Sequence, residues 1–171
     1  MSENWLAFKN KPQHLTSSIS FKAISDDDMA FLSNLYTSTR WEEVLQAPWN
    51  DQQRKEFLHQ QFKAQHQHYN THYPKAEKLI IYKHQNNIGR IYIDRDETSI
   101  CLIDVALLPE YKYQGIGTQL LKEVLHEAQS AKLKVMIHVE NFNPAYIWYK
   151  KHGFVQVEDK GVYQYMEWYP E

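Results

Sequence analysis

The order of apolar and polar residues predicts strands and helices in alternating blocks. Residues 1–18 are mainly polar and predict an N-terminal arm, whereas the following run SISFKAIS alternates apolar and polar positions, as a half-buried strand does. Ser25, with Asp28 three residues later, predicts a helix start of the capping-box type. A longer helix is predicted from about Asp51 to Tyr73, so two helices precede most of the sheet.

The second half of the chain carries most of the predicted sheet. The runs KLIIYKH and IGRIYID, joined by the turn QNN, predict a β-hairpin, and SICLIDVALLP predicts a third strand. From about Gly115 the apolar period changes to 3.6 and predicts a helix. After it, KVMIHVE predicts a strand, NPAYIWYKKH a helix, and the runs flanking Gly161 a closing pair of strands. The order β-α-α-β-β-β-α-β-α-β-β indicates a mixed α/β (α+β) fold, with helices on both faces of a central twisted mixed sheet of about six to seven strands.

Composition narrows the class of protein. With 171 residues and 43% apolar content, the chain is expected to form a single domain over residues 19–171, without disulfides or a structural metal. A formal net charge of -2 leaves no basic surface of the kind that nucleic acids or anionic membranes require, so we expect neither as a partner. The chain has no stretch near the roughly 20 apolar residues of a membrane span, no apolar secretory signal and a single cysteine, Cys101. These features predict a cytoplasmic protein.

Gly115 and Gly117 stand at the start of an otherwise apolar helical segment, YKYQGIGTQLL, where glycine costs about 1 kcal/mol relative to alanine. A strand, a short glycine-bearing loop and a helix N-terminus together favour phosphate binding, because unpaired N–H groups and the positive end of the helix dipole face the ligand. The same glycines could instead form a tight turn. The segment matches neither a Walker loop nor the dinucleotide fingerprint, which needs a third glycine where Leu120 stands. A different phosphate ligand is therefore predicted.

The segments ALLPEYKYQGIGTQLL and NPAYIWYKKHGF resemble two signatures of one family, the GNAT superfamily of acetyl-CoA-dependent N-acetyltransferases. The first is similar to the acetyl-CoA-binding motif R/Q-x-x-G-x-G/A after a strand, with Lys112 where arginine or glutamine is usual. The element order from about Ser18 to Tyr169 also resembles the GNAT fold, so the resemblance covers nearly the whole chain. The second signature, N-P-A-x-x-x-Y-x-x-x-G-F, is matched at Asn143, Pro144, Ala145, Tyr149, Gly153 and Phe154.

The resemblance implies a transferase that uses acetyl-CoA as cosubstrate, without a metal, and acetylates a primary amine by direct attack in a ternary complex. It implies that the backbone of Val105 to Leu107 pairs with the pantetheine arm like an added strand, and that Tyr113 to Thr118 wrap the pyrophosphate. A backbone N–H near Ala106 or Leu107 would stabilise the oxyanion. The cofactor-binding residues implied are Val105, Ala106, Leu107, Lys112, Tyr113, Gln114, Gly115, Ile116, Gly117, Thr118, Asn143 and Tyr149.

Acid and base catalysis is assigned to four candidate residues. The resemblance places Tyr149 beside the thioester sulfur as the acid, although it could instead be a helix tyrosine packed on the sheet. Asp104, inside the apolar run CLIDVALL, is either a base or a hydrogen-bonded structural carboxylate. His138, late in the next strand, has a reference pKa near 6.5 that suits a base, but a core histidine is the alternative. Glu140 shares its strand face and is a third candidate.

The acceptor amine is less defined by the sequence. Trp41, Trp49, Glu42 and Glu43 could form an aromatic and acidic wall for a cationic amine, or a hydrophobic cap with a solvated edge. We favour a small amine over a peptide N-terminus. A CoA-binding module without catalysis and a transferase of another acyl group are the alternatives, and a homodimer through edge strands stays open.

Two further residue patterns are expected to be structural. Cys101 is expected to be a buried thiol rather than a nucleophile. The run HQQFKAQHQHYNTH lacks a carboxylate or cysteine ligand pattern and predicts a solvated helix face.

Overall fold

A computed structural model describes residue 8, residues 14–141 and residues 143–171 of the chain. Seven strands form one mixed sheet in the order β1-β2-β3-β4-β5-β7-β6, which confirms the predicted fold class and element order. Two short 3-10 helices, Asp26–Asp28 and Pro109–Tyr111, precede α1 and α3. The strands are β1 (Ile19–Ala23), β2 (Glu77–Lys83), β3 (Asn86–Arg95), β4 (Ser99–Leu107), β5 (Lys134–Glu140), β6 (Val155–Asp159) and β7 (Tyr163–Trp168). The helices are α1 (Met29–Val44), α2 (Asp51–His72), α3 (Ile116–Ala131) and α4 (Ala145–Lys151).

The sheet has a different helical layer on each face. On one face the larger core joins α3 to the sheet and includes Leu121 and Val124 of α3 with Ile91 and Ile137 of the sheet, and residues of α4 pack against it. On the other face α1 and α2 cover β2 in a smaller cluster of Leu32, Phe62 and Ile80. Side chains that alternate along β3, β4 and β5 therefore point either into the α3 core or toward α1 and α2.

Local sequence accounts for the helix starts and corrects one turn. The Ser25 and Asp28 side chains form the predicted capping box. The turn between β2 and β3 lies at His84 and Gln85, with φ of 50° and 70°, so the predicted turn QNN was placed one residue too late and β3 begins at Asn86. Two residues with positive φ give a hairpin turn whose twist matches that of the flanking strands.

The parallel strands β4 and β5 separate soon after they begin. They pair only over Ser99–Cys101 and Lys134–Met136, although both strands continue further. In the antiparallel pairing with β3, Ile93 faces Leu102 and Tyr92 faces Asp104, so one extra residue, Ile103, bulges out of β4. A bulge bends its strand and increases the local twist. Beyond Cys101 the edge of β4 that faces β5 is therefore open.

The predicted N-terminal arm lies mostly in residues 1–7 and 9–13, which are outside the described residues, so the arm stays a prediction there. Phe8 is buried in the α3 core, with its ring edge-on to Phe21 at a centroid distance of 5.8 Å. The Thr16 N–H donates to Gln119 Oε1 of α3 at 3.1 Å. Within the described part of the chain, no helix is both long and apolar enough to cross a membrane.

Candidate active site

A cleft of about 860 Å³ lies where β4 and β5 separate. Helices α1 and α2 line one side of it, and β4, β5 and α4 line the other. The sheet thus supplies fixed positions for side chains, while the cleft leaves room for a small molecule. Six of the predicted catalytic and cofactor-binding residues line it, namely Asp104, Val105, His138, Glu140, Asn143 and Tyr149. The segment from Lys112 to Thr118, which includes the first residues of α3, lies outside this lining.

Gly115 and Gly117 have different reasons to be glycine. Gly115 caps α3 with a φ of 85°, a left-handed conformation that disfavours any side chain, so the turn itself requires glycine there. Gly117 lies inside the first turn of α3, and a Cβ built on it would meet no heavy atom within 4 Å apart from its chain neighbours and the backbone of its own helix. The fold does not require a glycine at Gly117. The space beside it is available for a ligand that approaches the backbone.

The start of α3 also presents unpaired backbone donors. Inside the helix, the Gln119 N–H donates to the Gly115 carbonyl at 3.0 Å, so the N–H groups of Ile116, Gly117 and Thr118 precede the first regular helical bond. Tyr113, with a φ of 60° and a fully exposed side chain, turns the chain into this start. A helix N-terminus of this form can bind a phosphate through its N–H groups and its dipole.

The open edge of β4 distinguishes the two predicted oxyanion donors. The Leu108 N–H donates to the Ile88 carbonyl at 2.8 Å, which is on the β3 side. Because successive residues of a strand turn their N–H groups to opposite edges, the N–H of Leu107 faces the open edge and that of Ala106 faces β3. The β3 contact is close, since a Cβ on Gly89 would lie 2.2 Å from the Ala106 carbonyl oxygen. Leu107 is therefore the donor that this geometry favours.

Tyr149 lies on α4 at the wall of the cleft. Its ring is edge-on to Phe154 at 5.3 Å and to Trp148 at 5.0 Å, which fixes the ring on the sheet. Burial raises the pKa of the Tyr149 phenol, and the negative charge of Asp104 raises that pKa further. The phenol is therefore protonated at neutral pH and can donate a proton or a hydrogen bond into the cleft.

Asp104 forms an ion pair with Arg90, a β3 residue that is only 3% exposed. The same guanidinium donates to Gln65 Oε1 of α2 at 2.6 Å. A buried arginine needs such partners, because an unpaired charge at this depth is costly. The geometry thus favours the structural alternative for Asp104.

Glu140, at the end of β5, is also paired. Arg40 of α1 donates to its two carboxylate oxygens at 2.8 Å and 2.5 Å. These hydrogen bonds outweigh partial burial and hold the pKa of Glu140 below its usual range. A carboxylate engaged in this way is a weak proton acceptor.

His138 shares its strand face with Glu140, as predicted, and its side chain is exposed at the cleft. Its ring lies against the ring of Tyr165 of β7, with the centroids 5.0 Å apart and the planes tilted by 35°. Partial burial lowers the pKa of His138, and the nearby charge of Lys160 lowers it further. A neutral imidazole at pH 7 can accept a proton.

Asn143 caps the start of α4 through its side chain, since its Oδ1 accepts the Ala145 N–H at 2.9 Å.

Cys101 is buried beside the cleft, and burial raises the pKa of its thiol to about 11. Of the four residues predicted to form an acceptor wall, only Glu43 lines the cleft, whereas Trp49 packs on Phe57 at 5.0 Å.

Among the described residues, no group of three or more His, Cys, Asp or Glu could hold a metal ion.

Sequence reasoning missed Arg40, Arg90 and Lys160, which set the charge environment of the candidate bases. Arg40 and Lys160 contact β5 from distant segments and carry no local pattern. Arg90 did carry a signal, because an arginine inside the apolar run IGRIYID needs a partner and Asp104 interrupts the neighbouring strand in the same way.

The comparison with family models agrees with the fold and the cleft. Residues 74–156 match the family model described as acetyltransferase (GNAT) domain, and this range includes both signature segments. Over this range the chain therefore matches a GNAT acetyltransferase domain, which confirms the family resemblance. No curated protein matches this chain by sequence.

Solved structures share the fold at low sequence identity. The PaiA N-acetyltransferase from Thermoplasma acidophilum, in complex with coenzyme A, is 19% identical with a TM-score of 0.64, and the match covers 89% of this chain and 99% of that one. Arabidopsis thaliana Naa50, in complex with the bisubstrate analogue CoA-Ac-MVNAL, is 19% identical with a TM-score of 0.56, over 88% and 97%. A GNAT family acetyltransferase from Elizabethkingia anophelis with acetyl-CoA bound is 17% identical with a TM-score of 0.57, over 90% and 99%.

Proposed function

We propose that this protein is an N-acetyltransferase that moves an acetyl group from acetyl-CoA to a primary amine, by direct attack of the amine in a ternary complex. The observation that carries the proposal is the separation of β4 and β5 after Cys101 and Met136, which opens a cleft at the edge of β4. Tyr149 and His138 line this cleft, and the chain continues from β4 to the glycine-bearing start of α3.

The donor side of the site is built mainly from backbone. The open edge of β4 at Val105 and Leu107 offers N–H and C=O groups to an extended pantetheine arm. The start of α3 offers its N–H groups to the pyrophosphate, and the empty space beside Gly117 lets a phosphate approach. Lys112 adds a positive charge to the same loop, and Asn143 and Tyr149 line the cleft. When bound, acetyl-CoA supplies the activated acetyl thioester.

His138 is the base that the electrostatics favour. An amine with a pKa near 10.4 is protonated at neutral pH and must lose a proton before it can attack a carbonyl. Asp104 and Glu140 are each held by an arginine, whereas the lowered pKa of His138 leaves its imidazole neutral. His138 accepts the proton, directly or through a water molecule.

Tyr149 and Leu107 serve the carbonyl and the leaving group. The protonated phenol of Tyr149 holds the proton that a leaving thiolate needs, and its raised pKa keeps that proton in place until sulfur carries negative charge. The Leu107 N–H faces the open edge, where it stabilises negative charge on the carbonyl oxygen. No covalent acyl-enzyme is needed, which agrees with the poorly ionised thiol of Cys101.

The base assignment is tested by replacing each candidate in turn. His138→Ala should lower kcat at least about tenfold and leave the Kd for acetyl-CoA nearly unchanged. Asp104→Asn and Glu140→Gln should lower the free energy of unfolding by more than the change in activation free energy that corresponds to their loss of kcat. His126→Ala, an exposed residue of α3, is the matched control for His138→Ala. The assignment fails if His138→Ala retains full kcat while Asp104→Asn or Glu140→Gln, still folded, loses it.

A thiol-release assay distinguishes the proposed function from two other functions. A CoA-binding module without catalysis would bind acetyl-CoA yet release no CoA with any amine. A transferase of another acyl group would release CoA faster from propionyl-CoA or succinyl-CoA than from acetyl-CoA. We expect acetyl-CoA to be the best donor and release to depend on the added amine.

A small amine is the acceptor that we favour. Three carboxylates, those of Glu43, Asp104 and Glu140, line the cleft and outnumber the two guanidinium groups that pair with them, those of Arg40 and Arg90, which suits a cationic acceptor. The peptide part of the analogue bound to Naa50 makes a peptide N-terminus the competing acceptor. Comparing small diamines with short peptides that have a free N-terminus decides between these two classes. A cytoplasmic location and a homodimer stay predictions.

A further inference from the structure

The turn between β6 and β7 brings a lysine against His138. Lys160 Nζ lies 3.4 Å from His138 Nε2 and 5.1 Å from the centre of the Tyr165 ring. Tyr165 is paired with His138 across β5 and β7, and its ring lies against the imidazole. The turn is held by hydrogen bonds from the Lys160 N–H to the Tyr163 carbonyl and from the Gly161 N–H to Asp159 Oδ1, both at 2.9 Å. Lys160 therefore reaches His138 from a defined backbone position.

The contact fixes the state of the imidazole. An ammonium group has only donors, so in this 3.4 Å contact the Nε2 atom of His138 accepts with its lone pair. An imidazole that accepts at Nε2 is neutral and carries its proton on Nδ1. If His138 were protonated, its positive charge would lie against that of Lys160, and the two charges would repel each other.

We propose that Lys160 is a positioning residue for His138, which keeps the imidazole neutral and its Nε2 lone pair available to the acceptor amine. The proposal rests on the proposed function, in which His138 is the base. An incoming acceptor ammonium replaces Lys160 at Nε2, while the flexible lysine side chain keeps its place over the Tyr165 ring. The positive charge of Lys160 then favours departure of the proton that His138 has accepted.

The other groups around His138 do not supply this charge. Glu158 of β6 acts in the opposite direction and raises the pKa of His138, whereas burial and Lys160 lower it. Glu140, on the same strand face, is engaged by Arg40. The Tyr165 phenol donates to Glu167 at 2.5 Å, and burial and this bond raise the pKa of Tyr165, so it is uncharged at neutral pH. Lys160 is the cation whose loss should be measurable at His138.

The test is the pH dependence of turnover in Lys160→Met, compared with wild type and Lys160→Arg. Because Lys160 lowers the pKa of His138, its removal should move the acidic limb of kcat/KM to higher pH. A shift of about half to one pH unit corresponds to a loss of about three- to tenfold on that limb, with little change above pH 8. Lys160→Arg keeps the charge and should keep the wild-type limb. Lys150→Met is the matched control, because Lys150 lies over the Tyr146 ring at 5.5 Å on another element.

An NMR titration of the His138 ring, assigned with His138→Gln, measures the same shift without turnover. The proposal requires a higher His138 pKa in Lys160→Met and an unchanged one in Lys150→Met. It is overturned if Lys160→Met leaves that pKa at the wild-type value, or if the pKa rises and the acidic limb does not move. If no amine is acetylated by the wild type, the proposed function fails, and the titration still decides whether Lys160 controls His138.

Discussion

Arg40 of α1 binds Glu140 at the end of β5 through two hydrogen bonds, although 100 positions separate them in the chain. Both residues line the cleft, so this pair connects the helix on the acceptor side to the strand that carries His138. The pair also engages one of the three candidate bases. In the proposed mechanism His138, on the same strand face, is the base, and its lowered pKa keeps it uncharged at neutral pH.

Replacing Arg40 by Met should destabilise the fold. It removes two charge-assisted hydrogen bonds and leaves Glu140 half-buried without its cation, a loss of about 1–2 kcal/mol after allowance for solvent. Urea unfolding at pH 7 measures the change in the free energy of unfolding. Glu43→Gln is the control, because Glu43 makes a single 3.3 Å contact with Arg40 and is largely exposed.

The same pair gives a pH dependence with a definite sign. The pKa of Glu140 is lowered in the folded state, so the pair stabilises the fold above the usual glutamate pKa and loses this contribution as the pH falls through the lowered value. The difference in stability between wild type and Arg40→Met should therefore shrink in acid. A difference that stays constant down to the lowest pH at which both proteins fold would show that the ion pair does not contribute.

Gly117→Ala should separate ligand binding from folding. Its Cβ meets no atom of another part of the protein within 4 Å, and alanine favours a helix by about 1 kcal/mol over glycine, so the variant should be as stable as wild type or slightly more stable. Its affinity for acetyl-CoA, measured by calorimetry, should fall by about tenfold or more because the methyl group occupies the phosphate space. Gly115→Ala should instead lose stability, since its φ of 85° disfavours alanine. Unchanged affinity in Gly117→Ala would place the pyrophosphate elsewhere.

Tyr149→Phe should impair turnover without weakening donor binding. The variant keeps the ring contacts with Phe154 and Trp148 and loses only the phenol proton, so kcat should fall by about ten- to a hundredfold at an unchanged Kd for acetyl-CoA. Tyr146→Phe on the same helix is the control, because its hydroxyl donates to Gln156 at an exposed site. Equal rates for both variants would remove Tyr149 from the acid role.

Cys101→Ala should retain turnover. Burial raises the pKa of this thiol to about 11, so at pH 8 little thiolate is present and a thiol reagent should react slowly with the folded protein. Rates with the best amine should stay within about threefold of wild type. A complete loss of turnover in a folded Cys101→Ala protein, together with an acetylated Cys101 in the wild type, would indicate a covalent intermediate instead.

Local patterns were sufficient to predict the fold. The 3.6-residue period of α3, the alternation along β1 and the capping box at Ser25 each depend on residues close in sequence, and each is present in the structure. Two signature segments were enough to predict the family. The hairpin turn was placed one residue too late, because QNN is a common turn composition and positive φ at His84 and Gln85 has no equally clear signal.

The charge pairs in the cleft could not be predicted in the same way. Whether Asp104 or Glu140 is free to act as a base depends on Arg90 and Arg40, and contact between such residues is decided by strand register and helix packing. Lys160 reaches His138 only because β6 and β7 form a hairpin beside β5. The sequence therefore yielded a list of candidates, and the packing distinguishes among them.

The central claim is tested most directly by incubating an amine with acetyl-CoA and the protein. Mass spectrometry then detects the acetylated amine, and CoA release is followed in the same sample. The account predicts acetylated amine and free CoA in equal amounts, formed by the wild type and by Tyr146→Phe, and lost or strongly slowed in His138→Ala and Tyr149→Phe. Tight binding of acetyl-CoA with no acetylated product from any small amine or peptide would contradict it and would favour a CoA-binding module.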